Sequence, residues 1–169
     1  LSDSPPEKDV QWSEQGMTSS YKFIQKLWSL NQKIITEISK NHKSDSSENL
    51  EKYTNIFLKK MTDNLNSFSY NVLIASLHEM CTYLNKETNN NYSSKTLTEN
   101  YNKILITLLP IIPHFASECM QLNQFEINQS WPDYDKEKLI DENTKIVVQI
   151  NGKKRDLVEV KRDISEENL

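Results

Sequence analysis

Apolar positions recur along the first two thirds of the chain at the three-, four- and seven-residue spacings of amphipathic helices, and near its end at a spacing of two. The first helical pattern covers residues 18–39. Met17, Tyr21, Ile24, Trp28, Ile35 and Ile38 trace its face, and Phe23, Leu27, Leu30 and Ile34 widen the stripe enough to meet two neighbours. On this reading Trp28 is a core residue, while Trp12 and Trp131 are undecided. Residues 41–49 (NHKSDSSEN) have almost no apolar content and read as a solvated loop. Leu50, Tyr53, Phe57, Met61 and Leu65 mark a second helix. A third, over residues 68–84, carries Leu73, Leu77, Met80, Cys81 and Leu84, with small Ala75 and Ser76 permitting close helix approach. After an Asn-rich connection over 85–94, a fourth helix over 97–109 is stopped by Pro110, which lacks a donor and clashes with the preceding turn. Pro113 then suits the first turn of a short fifth helix over 114–122, where its missing N–H costs nothing.

The period changes after Trp131-Pro132-Asp133-Tyr134. Ile146, Val148 and Ile150 alternate with Lys145, Val147 and Gln149, and Leu157-Val158-Glu159-Val160 resumes a strand-like run beyond Asn151-Gly152. Asn-Gly between two such runs predicts a β-hairpin with a type I′ turn. A lone two-stranded hairpin is marginal in water, so it must pack on the helices or belong to a larger module. The fold class expected is therefore mainly α: an antiparallel bundle of five helices followed by a truncated β-hairpin. Residues 1–16 read as an extended lead-in, 17–135 as the bundle, and 136–169 as linker and hairpin. The start, Leu1-Ser2-Asp3-Ser4-Pro5-Pro6, lacks an initiator Met and any targeting pattern, and the end places Asp163 before acidic positions that would open another helix. Both ends are thus expected to be cuts within a longer protein.

Composition narrows the class. With 169 residues, 36% of them hydrophobic and 26% charged, the chain can bury one proper core and reads as soluble, without collagen-like, disordered or membrane character. No apolar run approaches the ~20 residues of a membrane span. A net charge of −4 gives no general attraction to nucleic acid, so distribution matters more. Arg155 and Arg162, the two arginines, lie near the C-terminal end with Lys145, Lys153, Lys154 and Lys161, whereas Asp3, Glu7, Asp9 and Glu14 outweigh Lys8 at the start. Two distant cysteines, Cys81 and Cys119, fit a reducing, cytoplasmic setting.

Candidate chemistry is sparse. No P-loop, GxGxxG, HExxH, GxSxG or zinc-finger spacing occurs, and two glycines cannot build a phosphate cradle, so catalytic residues are expected to be none. His78 with Cys81 gives an HxxC on the third helix, but a metal wants about four ligands and the better reading is a pair of cysteines acting as small hydrophobes. No metal site or bound cofactor is expected. His114 stands without a nucleophile beside it, and a hydrogen bond at the helix end is the expected role. Lys153, Lys154 and Arg155 have two readings: a solvated strand edge that discourages aggregation, or phosphate contacts that position an RNA.

Several strings carry a resemblance. Ser4-Pro5-Pro6-Glu7-Lys8-Asp9-Val10-Gln11-Trp12-Ser13 followed by Tyr21-Lys22-Phe23-Ile24-Gln25-Lys26-Leu27-Trp28 looks like the path from the catalytic core into the anticodon-binding-type domain of leucyl-tRNA synthetases. Leu109-Pro110-Ile111-Ile112-Pro113-His114 resembles the Pro-x-x-Pro-His bend of class Ia synthetases, and Ile146-Val147-Val148-Gln149-Ile150-Asn151-Gly152-Lys153 resembles the bacterial-type leucyl enzymes in particular. Departures are Ser117-Glu118-Cys119-Met120, where the family shows two acidic residues and Leu-Trp, and Lys154 in place of an apolar residue, with Arg155 retained. The resemblance implies that residues 17–135 are an anticodon-binding-type bundle docking along the tRNA body, and that 136–169 open a C-terminal tRNA-binding domain. It implies a parent leucine-tRNA ligase, cytoplasmic and ATP-dependent with magnesium, whose HIGH- and KMSKS-type signatures and editing domain lie upstream. Its partners would be the tRNA for leucine and the catalytic and editing domains of the same chain, with no membrane. Lys22 and Lys26 stand where the family carries Arg facing RNA; lysine keeps the charge and loses the bidentate fork. The alternatives are the equivalent domain of a valyl- or isoleucyl-tRNA synthetase, and a helical protein–protein interaction module.

Overall fold

The computed structural model describes residues 8–9, 12–40, 42, 47–126, 130–139, 143–150 and 153–161. Expectations for the PPEKDVQW lead-in, most of the loop over 41–49, the Asn151-Gly152 turn and the closing helix start fall wholly or partly outside those residues. The chain divides into two compact units, Leu1–Tyr134 and Asp135–Leu169.

Among the described residues the first unit holds five helices: α1 (Glu14–Ser39), α2 (Glu48–Asn66), α3 (Tyr70–Glu87), α4 (Ser94–Leu108) and α5 (Pro113–Leu122). α1 begins four residues earlier than its apolar pattern, because the Ser13 hydroxyl accepts the Gly16 amide hydrogen at 3.0 Å and caps the helix. Ser93 does the same for α4 through Thr96 N at 3.1 Å. Pro110 falls just after α4 and Pro113 opens α5, as the spacing predicts. Phe68, read from sequence as the start of the third helix, lies instead in the turn between α2 and α3 with φ at 54° and an exposed ring. That left-handed conformation, unusual for a bulky side chain, reverses the chain within three residues and sets α2 against α3.

α2 packs on α3 and α4, α1 packs on the same two helices, and α5 closes against α4. The core between them is built from Leu30 and Ile34 of α1, Phe57 and Met61 of α2, Leu73 and Leu77 of α3, and Ile104 and Leu105 of α4. One polar group crosses it: Asn31, fully buried, accepts through Oδ1 from Tyr101 Oη and Asn123 Nδ2, each at 3.0 Å. The register of three helices is thereby tied to one side chain, since a shifted pairing would strand those donors. Further ties are the Ser94 hydroxyl, donating to Ile38 O at 2.6 Å, and Trp131 Nε1, donating to Thr62 Oγ1 at 2.9 Å. The latter decides Trp131: it is a partly buried strut against the bundle.

Among its described residues the second unit contains a short 3-10 turn (Glu137–Leu139) and two antiparallel strands, β1 (Asn143–Ile150) and β2 (Lys153–Lys161). Ile150 pairs with Lys153, leaving Asn151 and Gly152 between them. Val148 pairs with Asp156 but Gln149 with Lys154, so Arg155 is the extra residue of a β-bulge.

Candidate nucleic-acid interface

α1 presents three rows of side chains, and their contents decide what the helix can bind. The core-facing row, read from the C-terminal end, runs Ile34, Leu30, Leu27, Phe23, Ser20, Gly16. The first three are buried, Phe23 is half-buried, and the last two are small. Where the row shrinks, an open groove of about 560 Å3 forms between the N-terminal turns of α1, α3 and the α4–α5 bend. Its apolar wall includes Phe23, Ile24, Ile74, Leu77, Ile111 and Ile112; Ser13, Gln15, Ser19, Ser20 and His78 supply polar atoms.

The second row is basic. Lys22, Lys26, Lys33 and Lys40 follow at intervals of four, seven and seven, which at 100° per residue is one line extending about 27 Å along the helix. Lys33 Nζ donates to Asn85 O on α3 at 2.7 Å, and Lys40 pairs with Glu37 at 2.7 Å. Glu37, also 3.6 Å from His42, is held below the usual carboxylate pKa first by the Lys40 hydrogen bond. Lys22 and Lys26, both exposed, have no carboxylate partner among the described residues. The acids of α3 have other partners: Glu79 pairs with Lys60 at 3.0 Å, and Glu87 accepts from Asn90 and Tyr92. The two lysines therefore project uncompensated charge beside the groove.

His78 stands on the α3 side of that seam. Its ring stacks on Phe23, with centroids 3.7 Å apart and planes at 24°. Burial and then the Lys26 ammonium hold its pKa below the ordinary imidazole value, which favours the neutral ring. Sequence reading, which weighed His78 only as a metal ligand, missed this role because its partner lies on another helix. Among the described residues no group of three His, Cys, Asp or Glu side chains converges. Cys81 and Cys119 are buried free thiols; burial pushes Cys119 up to about 12.

The third row corrects an expectation. Met17, Tyr21 and Trp28, taken from spacing as core, are 52%, 64% and 38% exposed. Trp28 meets Phe115 edge to face, with ring centroids 6.3 Å apart. Trp12 is exposed as well. His114, expected to bond at the helix end, is exposed at the start of α5 and has no hydrogen-bond partner among the described residues.

In the second unit, Lys153 and Lys154 pair through their backbones with Ile150 and Gln149, and their side chains lie outside the described residues. Arg155, on the bulge, is exposed. The structure thus brings Lys22 and Lys26 together on one helix face, and Lys153, Lys154 and Arg155 together at the start of one strand.

A family profile described as the anticodon-binding domain of tRNA ligase matches residues 47–169. The leucine–tRNA ligase of Fusobacterium nucleatum is 34% identical over 175 residues, spanning 95% of this chain and 20% of its own. That of Thermotoga maritima is 32% identical over 180 residues, spanning 98% of this chain and 22% of its own. The chain therefore spans about a fifth of the length of these relatives. Among solved structures, the Agrobacterium radiobacter agnB2 LeuRS, determined as a ternary complex with tRNA and LeuAMS, superposes with a TM-score of 0.74 over 94% of this chain and 21% of that one, at 18% identity. The helical bundle read from the apolar periodicity is thus the fold of a known domain, and the chain belongs to the family of tRNA ligase anticodon-binding domains.

Proposed function

We propose that this chain is the tRNA-positioning region of a leucine–tRNA ligase, and that the exposed Lys22–Lys26 pair on α1 is its phosphate contact. The observation that carries the reading is that these two cations are uncompensated while Lys33 and Lys40, in the same row, are tied to protein acceptors. Phosphate contacts fix the register of an RNA without reading its bases, which suits a domain that orients a tRNA for chemistry performed elsewhere. Leucine as the amino acid is supported by the relatives at 32–34% identity, both leucine–tRNA ligases, over the valyl and isoleucyl readings. In this reading residues 1–16 lead in from the catalytic core, 17–135 form the anticodon-binding-type bundle, and 136–169 open a C-terminal tRNA-binding domain. Lys153, Lys154 and Arg155 add phosphate contacts there.

The parent enzyme would use ATP with magnesium in its catalytic domain, take the tRNA for leucine as substrate, and work in the cytoplasm. Among the described residues no helix is long and apolar enough to cross a membrane. Lys22→Glu with Lys26→Glu, made in the longer enzyme, is expected to raise KM for tRNA while leaving ATP–pyrophosphate exchange unchanged. Equal damage to the exchange reaction would overturn the assignment.

A further inference from the structure

The groove beside the basic row is more than a gap in packing. Its apolar wall and polar rim suit a flat ring with polar edges, and its volume of about 560 Å3 sits inside the range of about 300–1,000 Å3 typical of small-ligand clefts. Along the rim, Ser13 Oγ and Ser20 Oγ are engaged with Gly16, whereas Gln15 and Ser19 have no partner among the described residues and remain available to base edges. His78 is exposed overall and lines the groove, and the stack on Phe23 holds its ring in orientation. Lys26 lies close enough to influence the imidazole electrostatically, and Lys22 is one turn away, about 6 Å along the axis.

We propose that one unpaired nucleotide of the bound RNA docks at this α1–α3 seam, its base stacked on the outer face of His78 and its phosphate held by Lys26. The proposal rests on the tRNA-binding reading above and adds to it a base contact, on a residue that charge alone does not single out. Unpaired bases are the parts of a folded RNA that can be splayed onto an aromatic ring, and such stacking tolerates any base because every base has a π-face. A neutral imidazole is suited to this role, and in the free chain burial and then the Lys26 ammonium favour that form. The groove alongside would admit the edge of the base, and the Phe23 ring keeps His78 from collapsing into it.

The test uses the longer ligase that carries this chain, with a leucine-accepting tRNA transcript and, separately, a fully paired twelve-base-pair RNA duplex. Binding is followed by fluorescence anisotropy over a salt series, and folding by circular dichroism melting. His78→Ala is expected to weaken tRNA binding about tenfold, the scale of one lost base–aromatic stack, and His78→Phe to stay within about twofold of the parent. His78→Gln, which keeps polarity without the ring, should behave as the alanine variant does and covers the case in which His78→Ala misfolds. Duplex affinity and the slope of log affinity against log salt should not change in any His78 variant, whereas Lys26→Gln should reduce the tRNA slope by about one. Equal losses for His78→Ala and His78→Phe, a matching loss on the duplex, or no loss at all would each overturn the stacking site while leaving the phosphate reading intact. Failure of the longer enzyme to lose tRNA affinity on Lys22→Gln with Lys26→Gln would instead overturn the phosphate reading, and the stacking site with it.

Discussion

The two ends of α1 share one helical periodicity and meet opposite surroundings. Toward the C-terminal end, Leu27, Leu30 and Ile34 are buried and the lysines of the basic row are tethered, Lys33 to Asn85 and Lys40 to Glu37. Toward the N-terminal end, the core-facing row dwindles to Ser20 and Gly16, the lysines are untethered, and Met17 and Tyr21 face outward. The same helix is therefore structural at one end and open at the other. Spacing identifies faces; the reach of the neighbouring helices decides which face is filled.

The contrast can be broken most directly by truncating apolar side chains at each end. Leu30→Ala should cost about 2–5 kcal/mol of stability, the range for a buried leucine whose cavity cannot collapse, whereas Tyr21→Ala should stay within about 0.5 kcal/mol. Urea denaturation of the two variants measures both, and similar losses would mean that the outer row is packed after all. The basic row offers the next effect. Lys22→Gln with Lys26→Gln should reduce the salt slope of tRNA binding by about two, since each phosphate contact contributes close to one, and Lys33→Gln should leave that slope unchanged. A slope change of similar size for Lys33→Gln would show that its bond to Asn85 gives way to RNA.

Smaller effects sharpen the picture. Lys33→Gln should lower stability by about 0.5 kcal/mol, the low end for a hydrogen bond that is partly solvated. Least of all should change in Gly16→Ala: alanine gains up to about 1 kcal/mol of helix propensity, but its Cβ would meet the capping Ser13 Oγ at 3.0 Å, and the two oppose each other. Thermal melting that shifted strongly either way would show that one of these forces had been misjudged.

Most of the bundle was legible in the chain. Prolines at 110 and 113 and the Asn-rich connections delimited helices, and the periodic leucines and isoleucines named most of the core. The α1 start was missed because a capping hydroxyl, not an apolar residue, sets it, and Phe68 because a helix-compatible side chain was recruited into a left-handed turn. Trp28 was misassigned for a different reason: a helix with two apolar rows can bury either one, and only the positions of α3 and α4 select Leu27, Leu30 and Ile34. Of the proposed interface, Lys22 and Lys26 were expected from the resemblance. His78 was not, because nothing in its own neighbourhood on α3 reveals Phe23, 55 positions earlier, beneath its ring.

By itself the sequence determined the helices, the hairpin register signal and the family strings, because these depend on side-chain period, backbone preference and local order. Only the tertiary structure decided which lysines stay free, which apolar row is core and where a groove opens. Those outcomes depend on which atoms from distant segments share the same space: Asn85 beneath Lys33, Asn31 between Tyr101 and Asn123, and His78 over Phe23.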